Sequence, residues 1–438
     1  MTKGQINRIG QNLLKAIQEQ KSPSEEDLLG LQQYRKEFKE PLKNASNELL
    51  RIMQNIDNEG IVTYRVKRIE SILSKIERQP DMDLARVNDI AGCRCILQNE
   101  KKVFQFLNEL RNSQVLQIVQ KTDTNGNQKE YLFDYINSPK ENGYKSIHVI
   151  CKSQDKVIEI QIRDNTQHAW ATLVEITDSI YKTKIKEKND DKKTGLYEFL
   201  RLYSKSKNLT LEERQTINKI LVKTKYLKRL AKTFSKNLVS IRKDWSNIEE
   251  KQGNFYLFVL PKNNRPKFMV FDDFTEAEDA YFDSFTKEIN QNGSNIVMAY
   301  VQKKDFATVS KAYANYFLVK HTLFTNLINI LINDTGKINT NYKSFRLALF
   351  CIYIKILINL NECEGNLLGE VNEMNRKKKE EWLSETLDEI KHGYDNLHPK
   401  YKINKIIVLY FLITDLLKVL LKIFMLYCKI KWHMILNK

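Results

Sequence analysis

Residues 157–163 alternate between apolar and polar side chains, as a β-strand with one buried face does. Every second residue is an isoleucine, at Ile158, Ile160 and Ile162. The opposite side carries a carboxylate, an amide and a guanidinium, from Glu159, Gln161 and Arg163. Such a face is either a solvated surface or the polar floor of a catalytic site, and the other segments of the chain must decide between the two.

A second carboxylate precedes another apolar segment. Asp89 stands at the start of residues 90–97, which read as a short buried strand. An aspartate in this position is usually a turn or cap residue, and it becomes functional only if a second carboxylate faces it. Asp89 and Glu159 could share a divalent cation. Such a pair suits Mg²⁺, which uses few protein carboxylates and leaves positions for phosphate oxygens.

Basic and aromatic residues complete a set of groups suited to phosphate chemistry. Residues 63–80 place basic side chains around an apolar helical stripe, at Arg65, Lys67, Arg68, Lys75 and Arg78. They form either an ordinary solvated helix face or clamps for phosphate groups, to which Lys140 could contribute. Tyr144 follows an Asn142-Gly143 turn and offers a flat face for a base. A metal site, a cationic clamp and a base platform are the parts of phosphoryl transfer.

The elements that must position these groups alternate between strands and helices. A helix over 101–111 and a strand near 115–119 follow the first buried strand, and a polar loop joins the strand at 146–150 to the one at 157–163. A helix is predicted from residue 167. A hairpin is predicted over residues 255–271, followed by a helix over 275–289 and a strand over 295–301. The fold class is therefore α/β (α+β), a mixed sheet flanked by helices.

Shifts in pattern and composition divide the chain into five predicted parts. These are an N-terminal helical segment (1–60), a central α/β domain (61–185), a helical segment (195–252), a small α/β module (253–330) and an apolar helical region (340–438). Residues 345–360 and 406–432 are strongly apolar, but a polar stripe in the second stretch favours a buried helical pair or a partner-binding helix over a membrane span.

The bulk composition suits a folded cytoplasmic protein. Hydrophobic residues make up 42% of the 438 residues and charged residues 29%. The net charge of +17 favours polyanionic partners, although a genome rich in lysine codons gives the same excess. The six cysteines form no CxxC pair, which predicts reduced thiols and no zinc site. No histidine precedes His148, so an N-terminal His-Asp metal hydrolase domain is excluded there.

With its motifs in this order, the chain resembles the synthetase domain of the RelA/SpoT family, which makes guanosine tetra- and pentaphosphate. The resemblance covers about residues 60–182. It rests on matching segments at 65–75, 88–94, 134–148, 159–163 and 167–171. It implies a nucleotidyltransferase-like mixed sheet, and an in-line transfer of the β,γ-pyrophosphoryl group of ATP to a ribose 3′-hydroxyl with release of AMP.

The resemblance also implies residue roles. Asp89 and Glu159 match the metal-binding and catalytic acids of the Mg²⁺-dependent reaction, and Glu159 also helps to activate the acceptor hydroxyl. Arg65, Lys67 and Lys75 match basic residues around the donor ATP. Tyr144 matches the residue that stacks on the acceptor guanine. The remaining acceptor-side positions are Lys140, Asn142, His148, Gln161 and Arg163.

Three departures from the family pattern concern the acceptor side. Phe133 stands where the family usually has a lysine before its Asp-Tyr pair. Asp164 replaces a threonine after the strand, and Thr172 replaces a glutamate, with Glu175 one turn further on. The metal pair is intact, so these changes bear on which acceptor is used.

Three functions follow as alternatives. The first is an alarmone synthetase with ATP and GDP or GTP as partners. The second is a toxin-type relative that pyrophosphorylates the 3′ end of tRNA, which suits the positive charge and a basic face over 223–242, and which requires an antidote protein or self-inhibition by the C-terminal region. The third is a catalytically idle nucleotide- or RNA-binding module. The oligomeric state is left open.

Overall fold

The computed structural model describes residues 1–181, 183, 185, 194–205, 209–226, 229, 253–260, 267–289 and 295–301. The chain forms two compact units. The first comprises residues 1–140, 144–168 and 247–312, and the second residues 141–143, 169–246 and 313–438.

The secondary structure mixes helices and strands along the whole described chain. The helices are α1 (Lys3–Gln18), α2 (Glu25–Lys36), α3 (Lys39–Ile56), α4 (Ile69–Arg78), α5 (Glu100–Arg111), α6 (Asn165–Tyr181), α7 (Leu196–Tyr203), α8 (Leu211–Thr224) and α9 (Phe274–Ile289), with a 3-10 turn at Leu84–Arg86. The strands are β1 (Ile61–Val66), β2 (Ala91–Leu97), β3 (Gln117–Ile118), β4 (Gln120–Thr122), β5 (Gln128–Glu130), β6 (Leu132–Asp134), β7 (Ile147–Ser153), β8 (Lys156–Asp164), β9 (Phe255–Leu260), β10 (Lys267–Phe271) and β11 (Asn295–Val301).

The N-terminal helices form because their caps and apolar spacing agree. Thr2 and Gln5 make a reciprocal capping box at the start of α1. The Ser24 side chain accepts a hydrogen bond from the Asp27 N–H and caps α2, whose first turn is acidic. The predicted helical character of this segment is confirmed by α1, α2 and α3.

The main sheet of the first unit is mixed, as predicted. Within the described residues its strand order is β10-β9-β11-β1-β2-β8-β7-β3, with β6 also paired to β7. The β2–β8 pair is parallel, while β1–β2 and β7–β8 are antiparallel. In β8 the predicted alternation is seen in the burial of Ile158, Ile160 and Ile162, between which Glu159 and Gln161 are only half-buried.

The register separates an apolar from a polar face. Alternate residues of the central strands belong to the hydrophobic core, together with residues of α1 to α5. The intervening residues lie on the opposite face, where Arg65, Gly92 and Glu159 are in line across β1, β2 and β8. One row further, Gln161 is in line with His148. Pairing of strands from distant parts of the chain therefore collects the chemical groups on one surface.

The segment predicted as a small separate module supplies strands to this same sheet. Its hairpin, helix and strand form as predicted, as β9, β10, α9 and β11. However, β11 pairs antiparallel with β1, and Tyr300 stacks on Tyr64 at a centroid distance of 4.1 Å. Side chains of β9, α9 and β11 also belong to the same core as those of α1 to α5. The domain boundaries themselves stay a prediction.

The second unit is helical in its described part. It contains α7, α8 and most of α6. The Trp170 indole Nε1 donates to the Leu200 carbonyl at 2.8 Å, and the Tyr226 ring packs against Phe199 and Tyr181. Through Trp170 and Tyr181, α6 therefore packs against the other described helical residues of the second unit.

Several predictions fall outside the described residues. They concern most of the basic face at 223–242 and the apolar stretches at 345–360 and 406–432. In the part of the chain that the structure describes, no helix is long and apolar enough to cross a membrane.

Candidate active site

Glu159 lies at the centre of the polar sheet face and both of its carboxylate oxygens are hydrogen-bonded. His148 Nδ1 lies 2.8 Å from Oε1, and Gln161 Nε2 donates to Oε2 at 2.7 Å. Burial alone would raise the pKa of Glu159, but the hydrogen bond and charge of His148, the Gln161 amide and the Lys67 charge together lower it to about 2. Glu159 is therefore an ionised carboxylate at neutral pH.

A closed ring of hydrogen bonds holds this glutamate. Nη2 of Arg163 donates to the Tyr144 hydroxyl and to Oε1 of Gln161, each at 2.7 Å. The Tyr144 hydroxyl lies 2.5 Å from Nε2 of His148. Because Nδ1 of the same histidine contacts Glu159, the ring of hydrogen bonds is closed. Arg163 is buried, and its Nε also donates to the Ser146 hydroxyl. A buried network with every member bonded is rigid, so the orientation of Glu159 is set before any substrate binds.

His148 carries a raised pKa within this ring. Burial opposes its protonation, but Tyr144 and Glu159 outweigh that effect and raise the pKa of His148 above its ordinary value of 6.5. Because an ionised carboxylate only accepts hydrogen bonds, Nδ1 carries the proton shared with Glu159. Protonation of the second nitrogen is therefore favoured at a higher pH than for a solvent-exposed histidine.

Tyr144 differs from the sequence-based expectation. An open aromatic face was expected there, but the side chain is buried, with 5% of its surface exposed. The reason is its hydroxyl, which is bonded to His148 and Arg163, and its ring, which meets Tyr135 edge-on at a centroid distance of 5.8 Å. The described Tyr144 is thus a member of the Glu159 network, and its assignment as the guanine platform stays a prediction.

Asp89 lies just before β2 and is held by two lysines. Nζ of Lys67 lies 2.5 Å from Oδ2, and Nζ of Lys75 lies 2.6 Å from Oδ1. Burial acts to raise the pKa of Asp89, but the two ammonium groups outweigh it and lower the pKa. Burial also lowers the pKa of Lys67, against the opposing effect of Asp89. Asp89 is an anion, and its partners come from the end of β1 and from α4.

Lys67 links the two acidic residues electrostatically. It forms the ion pair with Asp89, and its charge also contributes to the lowered pKa of Glu159. Its backbone N–H donates to the Ile90 carbonyl at 2.7 Å, which fixes it beside the start of β2. The predicted acids thus lie within the field of one ammonium group, although each has its own hydrogen-bond partners.

The donor set fits a magnesium ion in type and number. Both acids are ionised, and Mg²⁺ is commonly bound by one or two carboxylates while substrate phosphates and water fill its other positions. Among the described residues there is no group of three or more His, Cys, Asp or Glu side chains placed to hold a metal ion. A magnesium site at Asp89 and Glu159 would therefore depend on oxygen atoms of the substrate.

Of the remaining predicted site residues, Arg65 lies on the face of Glu159, Lys140 is exposed and Asn142 is half-buried. Arg65 is half-buried on β1 in register with Gly92, on the same face as Glu159. Lys140 is exposed, with its Nζ 4.6 Å from the Tyr135 ring centroid and 5.4 Å from that of Tyr144. Asn142 is half-buried and belongs to the second unit. The substrate roles of these residues stay predictions.

Two residues of the polar face were not singled out from the sequence. Arg94 on β2 is in register with Gln161, so it lies on the face of the acidic residues. The alternation of Cys93 and Cys95, which are both buried in the core, could have indicated this orientation. Tyr135 packs edge-on against His148 at a centroid distance of 5.4 Å, and no sequence pattern signals that contact.

Gly92 allows β2 and β8 to approach each other beside Glu159. A Cβ atom at this position would lie 2.6 Å from the Glu159 carbonyl oxygen, a backbone atom that cannot move without displacing β8. Glycine in the 88–94 motif is therefore required by the packing of the strand that carries the central carboxylate.

An aromatic strip lies at β6. We use this name for Phe133, which is on β6, and for Tyr131 and Tyr135, which immediately flank the strand. The Tyr131 ring lies 5.5 Å from that of Phe133, centroid to centroid. The rings of Phe133 and Tyr135 are parallel within 2° at a centroid distance of 5.9 Å, and Phe133 is 40% exposed. Lysines flank the strip, with Nζ of Lys121 4.9 Å from the Tyr131 centroid and Lys140 over Tyr135. Rings flanked by cations suit stacking on bases next to phosphates.

Fold and site together define a mixed-sheet protein whose polar face carries two ionised carboxylates beside lysine ammonium groups. Residues 64–186 match the family described as the region found in RelA / SpoT proteins. The predicted resemblance to the RelA/SpoT family is confirmed over these residues, which we call the RelA/SpoT region.

The curated proteins that resemble this chain include two GTP pyrophosphokinases. The chain is 31% identical over 137 residues to GTP pyrophosphokinase YjbM of Bacillus subtilis, covering 29% of this chain and 60% of the relative. It is 31% identical over 122 residues to GTP pyrophosphokinase YwaC of the same organism, covering 25% of this chain and 53% of the relative. The chain thus spans about half to three-fifths of the length of these two curated relatives. The solved small alarmone synthetase 1 of Bacillus subtilis, bound to its product pppGpp, has 25% identity and a TM-score of 0.31, with coverage of 40% of this chain and 90% of that one.

Proposed function

We propose that the RelA/SpoT region of this chain is a pyrophosphokinase that transfers the β,γ-pyrophosphoryl group of ATP to the 3′-hydroxyl of GDP or GTP. The products are guanosine tetra- or pentaphosphate and AMP. The observation that carries the proposal is the ionised Glu159, held by His148 and Gln161 in a strand adjoining the one that Asp89 precedes. The names of the two Bacillus subtilis relatives, GTP pyrophosphokinases, agree with this chemistry.

The reaction exchanges one phosphorus–oxygen bond for another. The 3′-oxygen forms a bond to the β-phosphorus of ATP, and the bond from that phosphorus to the α,β-bridging oxygen breaks, so the bridging oxygen leaves with AMP. Phosphoryl transfer of this kind needs positioning and charge stabilisation more than covalent help from the protein. Rigid, oppositely charged side chains on one sheet face suit that requirement.

Glu159 is assigned to the acceptor hydroxyl. A carboxylate with a pKa of about 2 is a weak base toward an intact hydroxyl, but it is a permanent hydrogen-bond acceptor. Its role is to orient the 3′-hydroxyl and to accept its proton as the new bond forms, with His148 stabilising the carboxylate. When Mg²⁺ is bound, Asp89 and Glu159 would hold it, and the ion would neutralise charge on the transferred group.

Lys67, Lys75 and Arg65 are assigned to the ATP phosphates. Lys67 and Lys75 lie beside Asp89, and Arg65 contributes electrostatically at Lys67. A cluster of fixed cations at the end of β1 and on α4 would attract a triphosphate, and the two ammonium groups could exchange Asp89 for phosphate oxygens. Lys140, Asn142, Tyr144, Gln161 and Arg163 remain assigned to the acceptor side.

The test offers both acceptor classes to one preparation. Full-length protein, ATP labelled at the γ-phosphate and Mg²⁺ are incubated with GDP, GTP or deacylated tRNA. Label in guanosine tetra- or pentaphosphate with equal release of AMP supports the proposal. Transfer to neither acceptor class by folded protein contradicts it. Glu159→Gln is the inactive control.

A second candidate is transfer to the 3′ end of an RNA, and the aromatic strip is the observation that favours it. A mononucleotide presents a single base, whereas a single-stranded RNA end presents consecutive bases that could stack on Phe133 and its neighbours. Phe133 also stands where the family usually has a lysine. Label that appears only in tRNA in the acceptor test supports this candidate over the first.

A further inference from the structure

A buried polar cluster joins α2 to α9. Neither helix is part of the matched region at 64–186. Arg35 and Glu278 form an ion pair at 2.9 Å, and neither side chain is exposed to solvent. Gln32 completes the cluster, because it accepts from Arg35 Nη1 at 2.8 Å and donates to the Glu278 backbone carbonyl at 2.8 Å. Two segments far apart in the sequence thus share one buried polar contact.

This cluster reaches the backbone next to Lys67. Nε of Arg35 donates to the Lys67 carbonyl at 3.1 Å. The Ile69 N–H donates to the Tyr281 hydroxyl at 3.0 Å, and the Arg35 guanidinium lies 4.4 Å from the centroid of the Tyr281 ring. The two side chains therefore bracket the turn between β1 and α4, one on each side of Arg68.

The contact at Ile69 supplies a cap that α4 otherwise lacks. Arg68 stands at the N-cap of α4, and its side chain makes no capping hydrogen bond. The first N–H groups of a helix have no partner within the helix, so they need an acceptor from elsewhere. The Tyr281 hydroxyl provides one at the first helical residue, and α4 also carries Lys75.

A buried ion pair is seldom needed for stability alone, since well-packed apolar residues of similar size often serve as well or better. Here the pair fixes the backbone of a residue whose ammonium group contacts Asp89. The Lys67 backbone is held on both sides, by Arg35 at its carbonyl and by the Ile90 carbonyl at its N–H. A shift of this backbone would move Nζ away from Asp89.

We propose that Arg35 and Tyr281 are positioning residues for the donor side of the site, and that they act by fixing the backbone of Lys67 and the start of α4. This inference rests on the proposed role of Lys67 in binding ATP phosphates. It assigns to α2 and α9, which lie outside the RelA/SpoT region, a direct part in the geometry of that site. Tyr281 and Arg35 themselves do not touch substrate.

The test uses Tyr281→Phe, which removes only the hydroxyl group. We expect faster hydrogen exchange of the backbone amides at residues 68–72 and a dissociation constant for ATP raised about three- to tenfold, the usual effect of one lost hydrogen bond. In a Lys67→Met background, Tyr281→Phe should change ATP affinity no further, because the group being positioned is absent. The matched control is Asp279→Asn, which removes the exposed ion pair with Lys36 between the same two helices and should alter neither quantity.

The outcomes separate this inference from the proposed function. An equal loss of ATP affinity in both backgrounds, or unchanged hydrogen exchange at 68–72, overturns the positioning role. If the wild type transfers pyrophosphate to no acceptor, the proposed function fails, while ATP affinity and hydrogen exchange still decide whether Tyr281 positions Lys67. If Lys67→Met leaves ATP affinity unchanged, the positioning role falls because its target does not bind the donor.

Discussion

His148 Nδ1 lies 2.8 Å from Oε1 of Glu159, across the antiparallel pair of β7 and β8. The pairing is diagonal, since His148 is in register with Gln161 and Glu159 with Ile150. The second carboxylate oxygen is taken by Gln161, so Glu159 is held at both ends. The pair holds a half-buried glutamate, whose pKa burial alone would raise, as a fixed anion.

We expect Glu159→Gln to reduce turnover by about 10²- to 10⁴-fold, because it removes the negative charge that orients the acceptor hydroxyl. The amide has the same shape, so the circular dichroism spectrum should be unchanged. Glu130→Gln is the matched control. It breaks the partly exposed ion pair between Arg111 and Glu130, whose charged atoms are 2.8 Å apart and which is not part of the Glu159 network. Turnover within a few-fold of wild type for Glu159→Gln would contradict the assignment.

The contact between His148 and Glu159 should make the stability of the fold depend on pH. The pKa of His148 is raised, so the favourable contribution of its proton is complete below the unfolded value near 6.5 and is lost as pH rises through the folded pKa. The contribution of Glu159 is complete above the ordinary value of 4.5 and is lost as pH falls toward about 2. The pair therefore stabilises the fold most between pH 4.5 and pH 6.5, and its contribution declines as pH rises from 6.5 through the raised pKa of His148.

An NMR titration measures the pKa of His148 directly. In Glu159→Gln the pKa of His148 should fall from its raised value, because burial remains and the carboxylate is gone. Lys101→Met, a change at an exposed residue of α5, should leave it unaltered. A His148 pKa that is the same in wild type and Glu159→Gln would show that the contact does not persist in solution.

Lys75→Met should raise the KM for ATP roughly tenfold or more, the usual effect of losing a hydrogen bond to a charged group. It should also raise the pKa of Asp89, which keeps only Lys67 as its cationic partner. Steady-state kinetics with varied ATP tests the first effect, and Lys101→Met again serves as the control. An unchanged KM would mean that Lys75 only holds Asp89 in its ionised form and does not bind ATP.

Gly92→Ala should lower the free energy of unfolding by about 1–3 kcal/mol, as overpacking in a dense interior usually does. The added methyl group would meet the Glu159 carbonyl, so turnover should fall as β8 is displaced. Urea unfolding and the transfer assay measure the two effects. Gly4→Ala adds the same methyl group in open space on α1. It should leave turnover unchanged and leave the free energy of unfolding unchanged or slightly higher.

Phe133→Ala separates the two acceptor candidates. If an RNA end stacks on the aromatic strip, RNA binding should weaken by about 1–3 kcal/mol, while the KM for GDP should not change. Leu29→Ala removes another exposed apolar side chain, on α2, and should affect neither. Equal effects of Phe133→Ala on GDP and RNA would mean that the strip does not distinguish the acceptors.

The sequence by itself determined the chemistry-bearing elements. Strict alternation over 157–163 predicted β8 and the polar side of Glu159, because strand side chains alternate at every residue. Motif order predicted the RelA/SpoT region, and the sequence pattern predicted the helical character of residues 1–60. These signals are local, so they can be read without knowing which segments meet.

The tertiary structure decided which residues meet. Nothing in the local pattern indicates that β11 pairs with β1, or that Arg35 and Tyr281 hold the backbone beside Lys67, because these contacts join different elements that lie from 32 to more than 200 residues apart. The burial of Tyr144 likewise depends on a hydroxyl that reaches His148 and Arg163 on two other strands. Side-chain type and spacing set the chemistry that is available, whereas long-range packing sets the direction and charge with which each group is presented.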